Sequence, residues 1–86
     1  MTSNTQNKRH ASAMYKAALQ YIKTYTDGEA EVSYVRGIYK DAADLHIIGD
    51  LISAGDINKA SAAAWKLDTI VREFIPDPVW KRLESF

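Results

Sequence analysis

The side chains in this chain that could do chemistry fall into three sets, and none has the spacing of a reaction centre. Asp41 and Asp44 stand three residues apart, so on a helix they share a face, and Asp50 lies further along the same stretch. Paired carboxylates divide acid and base roles only where an apolar pocket raises the pKa of one of them, and no such pocket is evident here. The two open readings are a solvated acidic face and an acidic docking patch for a basic partner. His10 and His46 lie on separate segments, with no cysteine and no His-x-x-x-His spacing, so no metal site is expected. His46, next to an apolar run, reads as a half-buried core histidine. There is no glycine-rich phosphate loop and no Gly-x-Ser-x-Gly elbow. We therefore assign no catalytic residue and no cofactor, and expect a protein that is not an enzyme.

The second set is aromatic. Five tyrosines and two tryptophans are many for 86 residues, and most must serve the core of so small a domain. Tyr21, Tyr34 and Trp65 nevertheless fall off the apolar stripes described below, and Trp80 lies in a short terminal element. Tryptophan and tyrosine are enriched at binding hot spots. Together with Asp41, Asp44 and Asp50, these four are the candidate contacts to a protein partner. The third set is basic: Lys8, Arg9, Lys16 and Lys23 precede any acid, whereas residues 27–50 hold six acids against Arg36 and Lys40. A net charge of zero argues against a mainly electrostatic nucleic-acid binder, which needs an excess of cations to displace counterions. The four early cations remain the basis of an alternative nucleic-acid reading. The blander alternative is that a basic first helix lies beside an acidic second one and their fields cancel.

These side chains must be positioned by helices. Ala11, Met14, Tyr15, Ala18, Leu19, Ile22 and Tyr25 recur at spacings of three and four, which predicts a first helix over residues 8–25. Gly28 suits its C-terminus, and Thr26 with Glu29 has the capping-box pattern for the next helix, so the connection is short and the two helices are antiparallel neighbours. Val32, Val35, Ile38, Tyr39, Ala42, Leu45, Ile48 and Ile52 predict a second helix over 30–54, with a break or kink allowed near Gly37. Gly55 then serves as its C′ residue and Asp56 as N-cap of a third helix running to Ile75. That helix should turn Ile57, Ala60, Ala63, Ala64, Leu67, Ile70, Val71 and Phe74 inward. Its alanines are expected to meet Gly49 and Ala54 of the second helix, making residues 42–75 a rigid centre. The series from Ala42 to Ala60, with Gly49 and Gly55, is similar in packing to the inside of one tetratricopeptide unit, without a second copy.

Pro76 ends the third helix, Asp77 can cap, and Pro78 fits the first position of a short fourth helix over 78–85. Val79, Leu83 and Phe86 share one side of it, with Trp80 beside them. Eight residues do not hold a helix alone in water, so this element must dock on its own core or on a partner. The run Ile75-Pro76-x-x-Val79-Trp80-Lys81, with Tyr39 and Ala42-Ala43-Asp44, resembles the Hha/YmoA family of small helical nucleoid-associated modulators. That resemblance implies a non-enzymatic protein that binds the oligomerisation domain of the silencer H-NS and modulates transcriptional silencing, with Asp44 as the contact acid.

A chain of 86 residues makes one small domain, which buries only about 60–65% of its unfolded surface and has stability on the order of 5 kcal/mol. Without cysteine it has no disulfide staple, so a homodimer is compatible with every functional reading. Residues 1–7 are polar and read as a flexible leader before a single helical domain over 8–86. No secretory leader and no membrane span is visible, which makes a cytoplasmic, soluble protein with no membrane partner the expectation. The fold class expected is all-α, a small three- to four-helix bundle.

Overall fold

The computed structural model describes residues 2–26 and 32–85, and their arrangement is an all-α bundle of five helices in chain order: α1 (Thr2–Thr26), α2 (Val32–Ser53), α3 (Ile57–Trp65), α4 (Thr69–Arg72) and α5 (Asp77–Glu84). The apolar stripes drive this architecture. Met14, Leu45, Ile48, Ile52, Val79 and Leu83 are almost wholly removed from water, with Ala18, Ala42, Ala60 and Ala64 filling the narrow places between helices.

The antiparallel pairing of α1 and α2 is the most extensive contact in the molecule. As numbers rise along α1 they fall along α2. The Asn7 side chain approaches Gly55, Met14 and Tyr15 crowd Gly49, and Tyr21 reaches Asp41. Gly49 is what permits the close crossing, because a Cβ there would stand 2.7 Å from Tyr15 Cε1 and 3.1 Å from Met14 Cβ. Gly49 thus packs against α1, not against the alanines of α3 as the sequence suggested, and Ala54 is exposed. The break or kink that the sequence allowed near Gly37 is absent: α2 runs through it, and a Cβ at that position would meet nothing within 4 Å. The expected cap at Thr26, Gly28 and Glu29 falls largely on residues 27–31, outside the described residues.

The first helix starts earlier than Lys8. Thr2–Asn7, expected as a leader, continue α1, and the Asn7 side chain is buried beside the α2–α3 turn. The turn itself follows the sequence reading. Gly55 has φ +84°, its N–H donates to the Ile52 carbonyl, and Asp56 N–H donates to the Leu51 carbonyl at 2.9 Å, which is the Schellman arrangement. Asp56 occupies the N-cap position of α3 without a side-chain capping bond.

The expected long third helix is divided. Lys66 and Leu67 N–H donate to the Ala63 and Ala64 carbonyls in a tightened last turn, and Asp68 is extended (ψ 152°) before α4 begins at Thr69. Asp68 and Thr69 are cap-type residues inside what periodicity alone read as continuous helix. The Leu67 carbonyl freed by the break accepts a hydrogen bond from Arg72 Nη2 at 3.0 Å. One consequence is that Ile70, expected inward, is 56% exposed, while Val71 and Ile75 turn to the core.

The C-terminal helix docks on its own core. Val79 and Leu83 are buried, and the buried Ser61 hydroxyl of α3 donates to the Leu83 carbonyl at 2.7 Å. Across α1, Arg82 Nη1 lies 3.3 Å from His10 Nδ1. Pro76, not Asp77, takes the N-cap position, with Asp77 and Pro78 inside the first turn. Phe86 lies outside the described residues.

Candidate partner-binding surface

The break between α3 and α4 brings together aromatic residues that are far apart in sequence. Trp65, at the end of α3, meets Trp80 of α5 edge to face, with ring centroids 4.8 Å apart. The Arg72 guanidinium of α4 lies 5.3 Å over the Trp65 ring, a cation–π geometry. Trp65 is 51% exposed and Trp80 is half-buried. These three residues, with Thr69, Glu73, Ile75 and Asp77, line an open cleft of about 420 Å³. Arg72 is held by its bond to Leu67, although its buried Nε has no hydrogen-bond partner among the described residues.

A second groove, of about 380 Å³, runs between α1, α2 and α4 and is lined by Tyr21, Tyr25, Tyr34, Gly37, Ile38, Asp41, Asp68, Ile70 and Val71. Tyr34 is 49% exposed at its rim. Tyr21 corrects the sequence reading, which placed it on the surface: it is 3% exposed, and its ring packs on Tyr25 and edge-on against Phe74. Its hydroxyl donates to Asp41 Oδ2 at 3.0 Å, which uses the polar end of an otherwise buried ring. Burial, and next the bond to Asp41, hold the Tyr21 hydroxyl well above the ordinary tyrosine range.

The three aspartates do not share one open face. Asp41 turns into the tyrosine groove. Asp44, half-buried, lines a smaller cleft between α2 and α3 with Ile47, Ala63, Lys66 and Leu67. Asp50, nine residues and half a turn of rotation from Asp41, accepts the Tyr15 hydroxyl at 2.6 Å. That bond, ahead of partial burial, raises the Tyr15 pKa. Asp50 Oδ2 also lies 3.4 Å from His46 Nδ1. His46 is exposed, not half-buried in the core, and stacks on the Tyr15 ring at 4.4 Å.

The four cations of the alternative reading, Lys8, Arg9, Lys16 and Lys23, are all exposed on α1. Arg9, Lys16 and Lys23 recur every seven residues, so they form one stripe spaced about 10 Å apart. His10 beside them is drawn below the ordinary histidine pKa, by burial first and by Arg82 second.

Sequence reasoning missed Arg72, Tyr25, Asp68 and Ile70. The only sequence signal for their grouping was the Asp68-Thr69 pair that breaks the helix. Among the described residues no group of three His, Cys, Asp or Glu side chains could hold a metal, and no helix is long and apolar enough to cross a membrane. Comparison of the chain with protein-family models, with characterised proteins and with solved structures gave no match.

Proposed function

We propose that this chain is a small, non-enzymatic protein-binding module, a regulator, inhibitor or adaptor of a larger protein, that meets its partner through the Trp65–Trp80 cleft. The supporting observation is the exposed Trp65 indole, 4.8 Å from the half-buried Trp80 ring, with the Arg72 guanidinium stacked over it. Tryptophan and arginine are the residue types that dominate binding energy at protein interfaces, and here they are held on three helix segments rather than on a mobile tail. A half-exposed tryptophan leaves a large apolar area in water, which a partner covering it would remove.

The test is capture from native lysate by the wild-type chain, by Trp65→Ala and by Leu19→Ala, which trims an exposed leucine on α1 away from the cleft. Partners lost with Trp65→Ala and kept with Leu19→Ala support the reading. Equal capture by all three folded chains removes it. Sedimentation equilibrium on the same proteins tells whether the partner is a second copy.

A second reading rests on the α1 stripe of Arg9, Lys16 and Lys23, with Lys8 beside it, as a nucleic-acid contact. It requires an affinity for DNA or RNA that falls steeply with salt. Undetectable or salt-independent binding excludes it. The Hha-like form of that reading acts through a nucleoid protein with Asp44 as the contact, and Asp44→Lys with intact folding but unchanged partner capture excludes that form.

A further inference from the structure

We propose that the tyrosine groove between α1, α2 and α4 takes a cationic side chain, lysine or arginine, presented by a segment of a partner protein. The inference rests on the chain being a protein-binding module but not on the tryptophan cleft, which lies on other residues.

The argument is one of chemical complementarity. Among the described residues two acidic residues, Asp41 and Asp68, line this groove, and no lysine, arginine or histidine does. Arg36 and Lys40 are neighbours of the lining residues in sequence, yet neither lines it. Three phenol rings contribute the rest of its polar character, and the faces of such rings attract cations. An anionic occupant would be repelled by both aspartates. A purely apolar occupant would strip water from the carboxylates and give nothing back. A lysine or arginine side chain satisfies both parts of the site, because its aliphatic stem suits the apolar walls while its charged end meets the acids. Ile70 and Tyr34 provide those walls and are about half exposed. Gly37 leaves the space for the stem, since even a Cβ there would touch nothing within 4 Å. Asp41 is fixed in advance by the Tyr21 hydroxyl on Oδ2, so little order has to be gained on binding.

The experiment is a nitrogen-15 NMR titration of the full chain with capped pentapeptides, Ala-Ala-Arg-Ala-Ala and its lysine, norleucine and glutamate counterparts. The arginine and lysine peptides should shift the amides of Gly37, Ile38, Asp68 and Ile70 saturably, with Kd on the order of 1 mM for a single side chain. The norleucine and glutamate peptides should not. Asp41→Asn combined with Asp68→Asn should weaken binding roughly tenfold, and Tyr34→Ala, a change at an exposed ring, should weaken it without touching the Tyr21–Asp41 bond. Trp65→Ala should leave this binding unchanged, so failure here and failure of the tryptophan cleft are read separately. Circular dichroism melts confirm that each variant is folded. The proposal is overturned if norleucine or glutamate binds as well as arginine, or if no peptide binds. Shifts that fall elsewhere overturn it too, as does self-association that moves the same amides without peptide, which assigns the groove to a second copy.

Discussion

Replacing glycine by alanine at two positions of α2 should change stability in opposite directions, and the difference isolates what the α1–α2 crossing requires. Both Gly37 and Gly49 are inside the same continuous helix. Each substitution therefore gains the same intrinsic helix preference, about 1 kcal/mol. At Gly37 the new methyl meets nothing within 4 Å, so that gain stands alone and should raise Tm by roughly 4–8 °C for a domain of this size. At Gly49 the methyl would stand 2.7 Å from Tyr15 Cε1, 3.0 Å from Cδ1 and 3.1 Å from Met14 Cβ. The Tyr15 ring can swing away only by breaking its 2.6 Å bond to Asp50 and its stack on His46. The Met14 Cβ sits next to the backbone and cannot swing, so the helices must part. Overpacking costs about 1–3 kcal/mol and the lost hydrogen bond about 0.5–1.5 kcal/mol, against the gain of about 1 kcal/mol, leaving a net loss of about 0.5–3.5 kcal/mol. Thermal denaturation followed by circular dichroism should place Gly49→Ala roughly 2–28 °C below wild type. If the two variants shift in the same direction, the close crossing at Gly49 is not what holds α1 against α2.

Three further outcomes follow from the core and its buried polar groups. Leu83→Ala should cost about 2–5 kcal/mol, most of the stability of so small a domain, and show as lost helical signal at 37 °C; a Tm within a few degrees of wild type would mean α5 is not docked as described. Because burial and Arg82 lower the His10 pKa, the unfolded chain binds the proton more readily. The His10 contribution is therefore complete above about pH 6.5 and lost as pH falls below it, so His10→Gln should flatten the decline in Tm between pH 7 and 5, and an unchanged slope refutes the assignment. The Tyr21 hydroxyl has the opposite sign, its pKa being raised: its contribution is complete below about pH 10 and lost above it. Tyr21→Phe should cost about 0.5–1.5 kcal/mol at neutral pH and shrink the fall in Tm between pH 9 and 11.

How far the sequence spoke depends on the range of the interaction. Helical periodicity is local, and it located the end of α1, α2, the Gly55 turn and the Pro76 stop to within a few residues, because spacing and cap chemistry are written in neighbouring positions. The break at Asp68 was written there too, in a cap-type pair, but the apolar stripe through Leu67, Val71 and Phe74 outweighed it. Burial was harder to read at the edges of stripes. Tyr21 went inward because Asp41 on another helix receives its hydroxyl, and Ile70 went outward because the break changed its heading.

The sequence by itself determined an all-helical chain whose apolar faces must be buried together, with aromatic and charged residues left outside those faces. Only the tertiary structure decided which of those residues meet. Trp65 and Trp80 touch because α3 breaks and α5 folds back against it, and a side chain at Gly49 is costly because α1 crosses there, not α3. Both depend on the heading of one helix relative to another. No spacing along a single strand of residues encodes that heading, since it is set by how side chains from distant segments fill the same space.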